Sequence, residues 1–147
     1  MTTSSRTLLI REAACLATQD DQSAEWPGAS VWCRGGFVER IIPAGEDLAP
    51  WMAQADEVID ARTHVVLPGL VNTHHHMVQS LTRAVPAVQN AELFSWLRGL
   101  YPIWSGLTPE MVTVSHQVAM AELLLSGCTT SSDHHYIYPN GIRLDDS

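Results

Sequence analysis

Val65-Val66-Leu67-Pro68-Gly69-Leu70-Val71-Asn72-Thr73-His74-His75-His76 is an apolar run that stops abruptly in three histidines. Side chains alternate along a β-strand, so a strand from Leu67 to Thr73 sends His74 and His76 to one face and His75 to the other. On an extended chain the Cα atoms of such a pair stand about 6.5 to 7 Å apart. From there two imidazoles can converge on one ion at about 2.0 to 2.1 Å. An accidental polar cluster in a loop is the plainer alternative. Context weighs against it, because Pro68-Gly69 opens the run, Leu70-Val71 suits a fully buried parallel strand, and the imidazoles fall where that strand ends.

Pro68-Gly69, four residues, then His74-x-His76 resembles the first-strand signature of the amidohydrolase superfamily, metal-dependent hydrolases built on a (β/α)8 barrel. The wider text, Leu67 to Arg83 together with Ser126-Gly-Cys-Thr-Thr-Ser-Ser-Asp-His-His-Tyr136, looks most like the 8-oxoguanine deaminases within it, and the likeness runs over nearly the whole chain. The resemblance implies an α/β fold: the N-terminal part of a (β/α)8 TIM barrel, preceded by part of a small β-sandwich. Polar residues at the carboxyl ends of barrel strands read as catalytic. A complete barrel takes about 250 residues, or about 31 per βα unit. The 147 residues therefore suggest an N-terminal fragment, with residues 1–63 as a partial β-sandwich and 64–147 as the first two βα units of an incomplete barrel.

The first region reads as strands: Thr7-Leu-Leu-Ile10, Ala13 to Ala17, a hairpin of Ser30-Val-Trp-Cys-Arg34 and Phe37 to Ile42 across Gly35-Gly36, and Glu57-Val-Ile-Asp60. Asp47 to Ala55 carries Leu48, Trp51 and Met52 at helical spacing. Trp26, Trp32 and Trp51 are read as packing residues without a functional role. Further on, Glu92 to Trp104 is amphipathic, and Pro102 is expected to break it. Trp96 or Tyr101 is a candidate to stack on a flat heterocycle, although a packed helix explains the stripe more simply. Thr108-Pro109-Glu110 is a helix start and Gly127 a helix end; between them Met111, Val114, Val118, Ala121 and Leu125 form the expected packing stripe. His116 lies off that stripe, lacks a histidine or acidic partner at i+4, and is expected to face solvent.

Cys128 to Asp133 reads as the second barrel strand, with Asp133-His134-His135-Tyr136 at its carboxyl end. Asp133 and His135 share one direction and His134 the other, and alternation alone does not say which enters a pocket. Substrate contact by Asp133 and His135 is one expectation; orientation of a metal-bound histidine by Asp133 is another. Gln79 stands three residues past His76, where guanine deaminases carry a substrate-contacting glutamine, and its amide offers a donor and an acceptor to a purine edge. Arg83 is either a ligand-steering cation or a surface ion-pair partner.

His74 and His76 as metal ligands imply zinc, with iron or another divalent metal open, since imidazole suits several ions. By resemblance, a further histidine, an aspartate and the acid/base group lie on later strands and belong to a part of the protein not in this sequence. Water activated by the metal adds to the amine-bearing carbon, and ammonia leaves. The expected substrate is a free purine-like base, 8-oxoguanine giving urate. Guanine deaminases and hydrolases of hydroxylated s-triazines are the alternatives, and a non-catalytic truncated product is an alternative of another class. Cytidine-type zinc deaminases are excluded, because neither His-x-Glu nor Pro-Cys-x-x-Cys occurs.

A net charge of −8, from 8 basic and 16 acidic residues, argues against nucleic acid and for a small-molecule heterocycle as partner. A homo-oligomer is compatible with a full-length form. Cys15, Cys33 and Cys128 are odd in number and widely spaced, which fits a reducing cytoplasm better than a disulfide framework. No signal-like apolar core opens the sequence, and no apolar run approaches the roughly 18 residues of a membrane span.

Overall fold

The computed structural model describes residues 5–147 and divides into two compact units, residues 1–68 and 69–147. In the first unit, β1 (Thr7–Arg11), β4 (Ser30–Arg34), β5 (Phe37–Ile42) and β6 (Glu57–Asp60) form one sheet in the order β5-β4-β1-β6. β2 (Cys15–Ala17), β3 (Glu25–Trp26) and β7 (Val65–Val66) form a second sheet in the order β3-β2-β7. β1 pairs antiparallel with β4 and parallel with β6.

The β4/β5 hairpin turns on Gly35 and Gly36, both at positive φ (58° and 87°), as a two-residue turn requires. Alternation along β4 then feeds two cores. Val31 and Cys33 pack with Ala13, Leu16, Ala29 and Ala61, whereas Trp32 packs with Leu9 and Ile42. The short helix α1 (Ala49–Met52) flanks that second core, where Trp51 meets Trp32 at 5.3 Å between ring centroids. Trp32 and Trp51 are thus packing residues, while Trp26 is 41% exposed and lies outside both cores.

The second unit holds β8 (Leu70–Asn72), α2 (Leu93–Trp104), α3 (Pro109–Leu125) and β9 (Cys128–Ser131), with 3-10 turns at Met77–Thr82 and Pro86–Val88. β8 and β9 are parallel neighbours joined through α3. The strand expected from Leu67 to Thr73 is shorter and begins only at Leu70, because Val65 and Val66 pair instead with β2 in the first unit. At Gly69 a Cβ would stand 2.8 Å from Cβ of Thr129, so β9 approaches where only glycine leaves room.

Two helix expectations are corrected. Pro102 does not break α2, which runs two residues past it; in the last turn a proline forfeits little ladder, and Leu100 and Trp104 on either side are fully buried. The second correction concerns α3. It starts and stops as expected: Thr108 Oγ1 accepts from the Met111 N–H at 3.3 Å, and Gly127 follows it at φ 84°. Its buried face, however, is Val112, Ser115, His116 and Ala119, while Met111, Val114, Val118 and Leu125 are exposed. The small side chains of Ser115 and Ala119 let the segment after His76 lie close, and Ser115 Oγ donates to Met77 O at 2.6 Å. Val78, Val88, Leu100, Trp104, Leu107 and Val112 build the core of this unit with Ile137 and Ile142.

Candidate metal centre and cavity

Beyond the last rung of β8 and β9 the two chains stay bonded. The Ser132 N–H donates to Asn72 O at 3.0 Å, Ser132 Oγ to Thr73 O at 2.8 Å, and the His134 N–H to His75 O at 2.8 Å. These bonds set residues 74–76 alongside residues 132–134 at the carboxyl ends of the strands. Asn72 Oδ1 accepts the His74 N–H at 3.0 Å, which turns the chain out of β8 at the first histidine.

His74 Nε2 and His76 Nε2 stand 3.2 Å apart. Two ligands held at 2.0 to 2.1 Å by a tetrahedral ion are separated by about 3.3 Å, so the pair is spaced for a shared cation. His134 joins them: one ring nitrogen from each of the three residues lies within 4.8 Å of the others. Its ring centroid is 4.6 Å from that of His74 and 5.5 Å from that of His76. His76 Nδ1 lies 2.8 Å from the His134 carbonyl oxygen, which can only accept, so the proton sits on Nδ1 and Nε2 keeps its lone pair for a metal. Three imidazoles suit zinc, and equally iron, copper or nickel.

His74 and His76, but not His134, border a cavity of about 390 Å³ lined also by His75, Gln79, Arg83 and Trp96, with Ser80 and Thr82 completing it. Gln79 lies on the 3-10 turn, where its N–H donates to His76 O at 2.9 Å. Its side-chain Nε2 donates to Tyr136 Oη at 2.8 Å. That contact fixes the amide, leaves Oε1 as an acceptor, and leaves the Tyr136 O–H free to donate. Burial pushes the Tyr136 phenol above its ordinary value and the neighbouring Tyr101 adds to this, with the Gln79 bond opposing, so the hydroxyl stays protonated at neutral pH. Arg83 is held by Glu122 at 2.8 Å while it lines the cavity, which makes it an ion-pair partner with one face on the site. Trp96 is on the wall and Tyr101 is not.

The structure separates the remaining residues from this group. Asp133 and His135 do point the same way, opposite His134, but into the protein rather than into the cavity. Asp133 Oδ1 accepts the Met77 N–H at 2.7 Å and Oδ2 meets His116 Nε2 at 2.9 Å. His135 Nε2 bonds Ile137 O at 2.8 Å, and its Nδ1 is buried without a partner, 3.9 Å from Asp133 Oδ2. His116 is 4% exposed and faces Asp133, contrary to the solvent-facing position expected from the sequence. The strand-end polarity from 133 to 136 is therefore split: His134 and Tyr136 lie near His76 and Gln79, and Asp133 and His135 lie behind them.

Residues 65–145 match the amidohydrolase family. The chain belongs to that family. It is 53% identical to the 8-oxoguanine deaminase of Pseudomonas aeruginosa over 108 residues, which is 74% of this chain and 23% of that protein. It is 35% identical to the hydroxydechloroatrazine ethylaminohydrolase of a Pseudomonas species, over 84% of this chain and 27% of that protein. Among solved structures, a mutant of atrazine chlorohydrolase from Arthrobacter aurescens complexed with zinc and atraton superposes at a TM-score of 0.80. Sequence identity there is 28%, over 90% of this chain and 29% of the other. The amidohydrolase chain thus spans about a quarter of the length of the curated relatives it matches.

Proposed function

We propose that the protein carrying this amidohydrolase segment is a metal-dependent hydrolytic deaminase of a free purine-like base, with 8-oxoguanine as substrate and urate and ammonia as products. The observation that carries the proposal is the 3.2 Å approach of His74 Nε2 and His76 Nε2 on the wall of the cavity, with the His76 tautomer already set by the His134 carbonyl. In this reading residues 1–68 contribute to a small β-sandwich, and β8-α3-β9 opens a (β/α)8 barrel with its site at the carboxyl ends of the strands.

His74 and His76 would hold the ion, with His134 within reach as a third imidazole. Zinc bound there supplies Lewis acidity and an activated water for attack on the amine-bearing ring carbon. The chain's own residues bind and orient the base. Gln79, its amide held by Tyr136, accepts through Oε1 from a ring N–H or an exocyclic amine, and the Trp96 indole covers one face of the heterocycle. Arg83, partly neutralised by Glu122, favours a carbonyl-rich ligand over a cationic one. Likeness to the 8-oxoguanine deaminase supports the purine, and likeness to the two triazine enzymes supports a hydroxylated s-triazine as the second reading.

Ammonia release by the natural-length protein on 8-oxoguanine, guanine and a hydroxylated s-triazine discriminates them. The expected order of kcat/KM puts 8-oxoguanine first, and a triazine turned over faster than either purine replaces the proposal with the second reading. His76→Ala is expected to lower kcat by a factor of about 1,000 or more with loss of bound metal, because an incomplete ligand set no longer holds the ion in the geometry that activates water.

A further inference from the structure

We propose that Asp133 and His116 are positioning residues for the metal-ligating histidines, with Asp133, anchored by His116 on α3, setting the peptide that follows His76. The proposal rests on the reading of His74 and His76 as ligands, and its test separates the two. Asp133 uses each carboxylate oxygen for a different partner: Oδ1 accepts the Met77 N–H at 2.7 Å, and Oδ2 meets His116 Nε2 at 2.9 Å. The Met77 amide belongs to the peptide plane that fixes ψ of His76. That angle is 79° with φ −127°, which is neither a helix nor a strand value. The Gln79 N–H holds the carbonyl of this peptide at 2.9 Å, and the Asp133 carboxylate holds its amide from the opposite strand end.

α3 grips the same residue from its other side, since Ser115 Oγ donates to Met77 O at 2.6 Å. Both polar groups of Met77 are therefore tied to α3, one directly and one through the Asp133–His116 contact. His116 is fixed in turn by its Nδ1, which donates to Val112 O at 2.8 Å within the helix. Asp133 also immediately precedes His134, whose carbonyl accepts from His76 Nδ1 at 2.8 Å. A shift of Asp133 thus moves His76 by two routes, through its backbone and through the acceptor that orients its ring. Metal–ligand distances tolerate about 0.2 Å, so small displacements register in affinity.

The pair is 5% and 17% exposed at the side chains, and neither residue lines the cavity, so substrate contact does not account for them. Zinc affinity of the natural-length apo-protein, from competition with a chromophoric chelator, and the visible spectrum of its Co(II) form are the readouts. Asp133→Ala is expected to weaken zinc about 10- to 100-fold, the usual effect of losing an outer-shell partner. His116→Asn places an amide near Nδ1 but cannot reach Asp133, and is expected to weaken zinc about 3- to 10-fold with an altered Co(II) spectrum. His116→Gln reaches the Nε2 position and is expected to restore the native spectrum and affinity within about twofold.

A merely structural role lowers the melting temperature in all three variants and leaves zinc affinity of the folded protein and the Co(II) spectrum unchanged. That result overturns the proposal. If Asp133→Ala does not fold, the contrast between His116→Asn and His116→Gln decides. Retention of native zinc affinity by His74→Ala and His76→Ala overturns the ligand reading instead.

Discussion

Gly69 shows how one missing side chain places the histidine cluster. A Cβ there collides with the Thr129 side chain, so the parallel approach of β9 to β8, and with it the approach of His134 to His74 and His76, depends on a bare Cα. Gly69→Ala is expected to destabilise the second unit by about 1 to 3 kcal/mol, the usual cost of overpacking. Thr129→Ala in the same chain removes the two nearest atoms and should recover part of that loss, a coupling that a double-mutant cycle in urea measures directly. Additive effects of the two substitutions would mean that the strands do not meet as described. The role of Pro68-Gly69 as an opening motif was legible in the sequence, and so was the shared direction of His74 and His76. The burial of His116 was not. Its partner Asp133 lies 17 residues away, past the end of β9, and a search for a partner along the same helix face cannot find it. The available signal was the spacing Val112, Ser115, His116, Ala119, a second 3-4 stripe made of small residues that admits a close neighbour.

At the scale of elements, α3 carries two stripes. Hydrophobicity favoured Met111, Val114, Val118 and Leu125, but packing within these residues uses the smaller, more polar face. Apolar periodicity locates a helix and its ends well, and it names the buried face only where one side of the helix has a partner. The strands of the first unit were easier to read, because the Gly35-Gly36 turn sets the hairpin register and β4 alternates cleanly between two cores. What holds β6 to β1 is in part ionic. Asp56 accepts the Thr7 N–H at 2.7 Å and Thr7 Oγ1 at 2.8 Å, while Asp60 bonds Arg62 at 2.6 Å and Arg11 at 2.8 Å. The Thr7 bonds lower the Asp56 carboxyl, and Arg62 first, then Arg11, hold Asp60 well below the usual 3.8. A carboxylate lowered on folding stabilises above its unfolded value and loses that contribution as the pH falls toward its folded value. The urea midpoint is therefore expected to fall as the pH drops below about 5 and to keep falling below about pH 3, and Asp60→Asn is expected to lower the midpoint at pH 5 and to flatten that fall. An unchanged slope in the Asp60→Asn protein would show that the carboxylate titrates alike in the folded and unfolded chain.

For the molecule as a whole, the described residues supply a cluster of imidazoles on a cavity, but the lining holds no carboxylate: its polar groups are imidazoles, an amide, hydroxyls and a guanidinium. Hydrolytic deamination needs a group that takes a proton from water and delivers it to the departing amine, work commonly done by a carboxylate or histidine of matched pKa. Two of the three cavity-lining imidazoles, His74 and His76, are committed to the metal in the proposed mechanism and cannot serve as that group. The β8-β9 pair is also a two-stranded sheet, with Leu70 51% and Val71 64% exposed. Such a sheet with apolar side chains uncovered is prone to pair with other chains. The 147-residue chain by itself is accordingly expected to self-associate in sedimentation velocity at micromolar concentration and to release no ammonia from 8-oxoguanine. It should nevertheless bind zinc, more weakly than the natural-length protein and in a manner abolished by His74→Ala/His76→Ala. Ammonia release from a preparation whose measured mass corresponds to these residues alone would require a proton-transferring group within them. His75 and Tyr136 would then be the residues to substitute first, because His75 lines the cavity, Tyr136 packs on His76, and neither belongs to the imidazole cluster proposed to hold the metal.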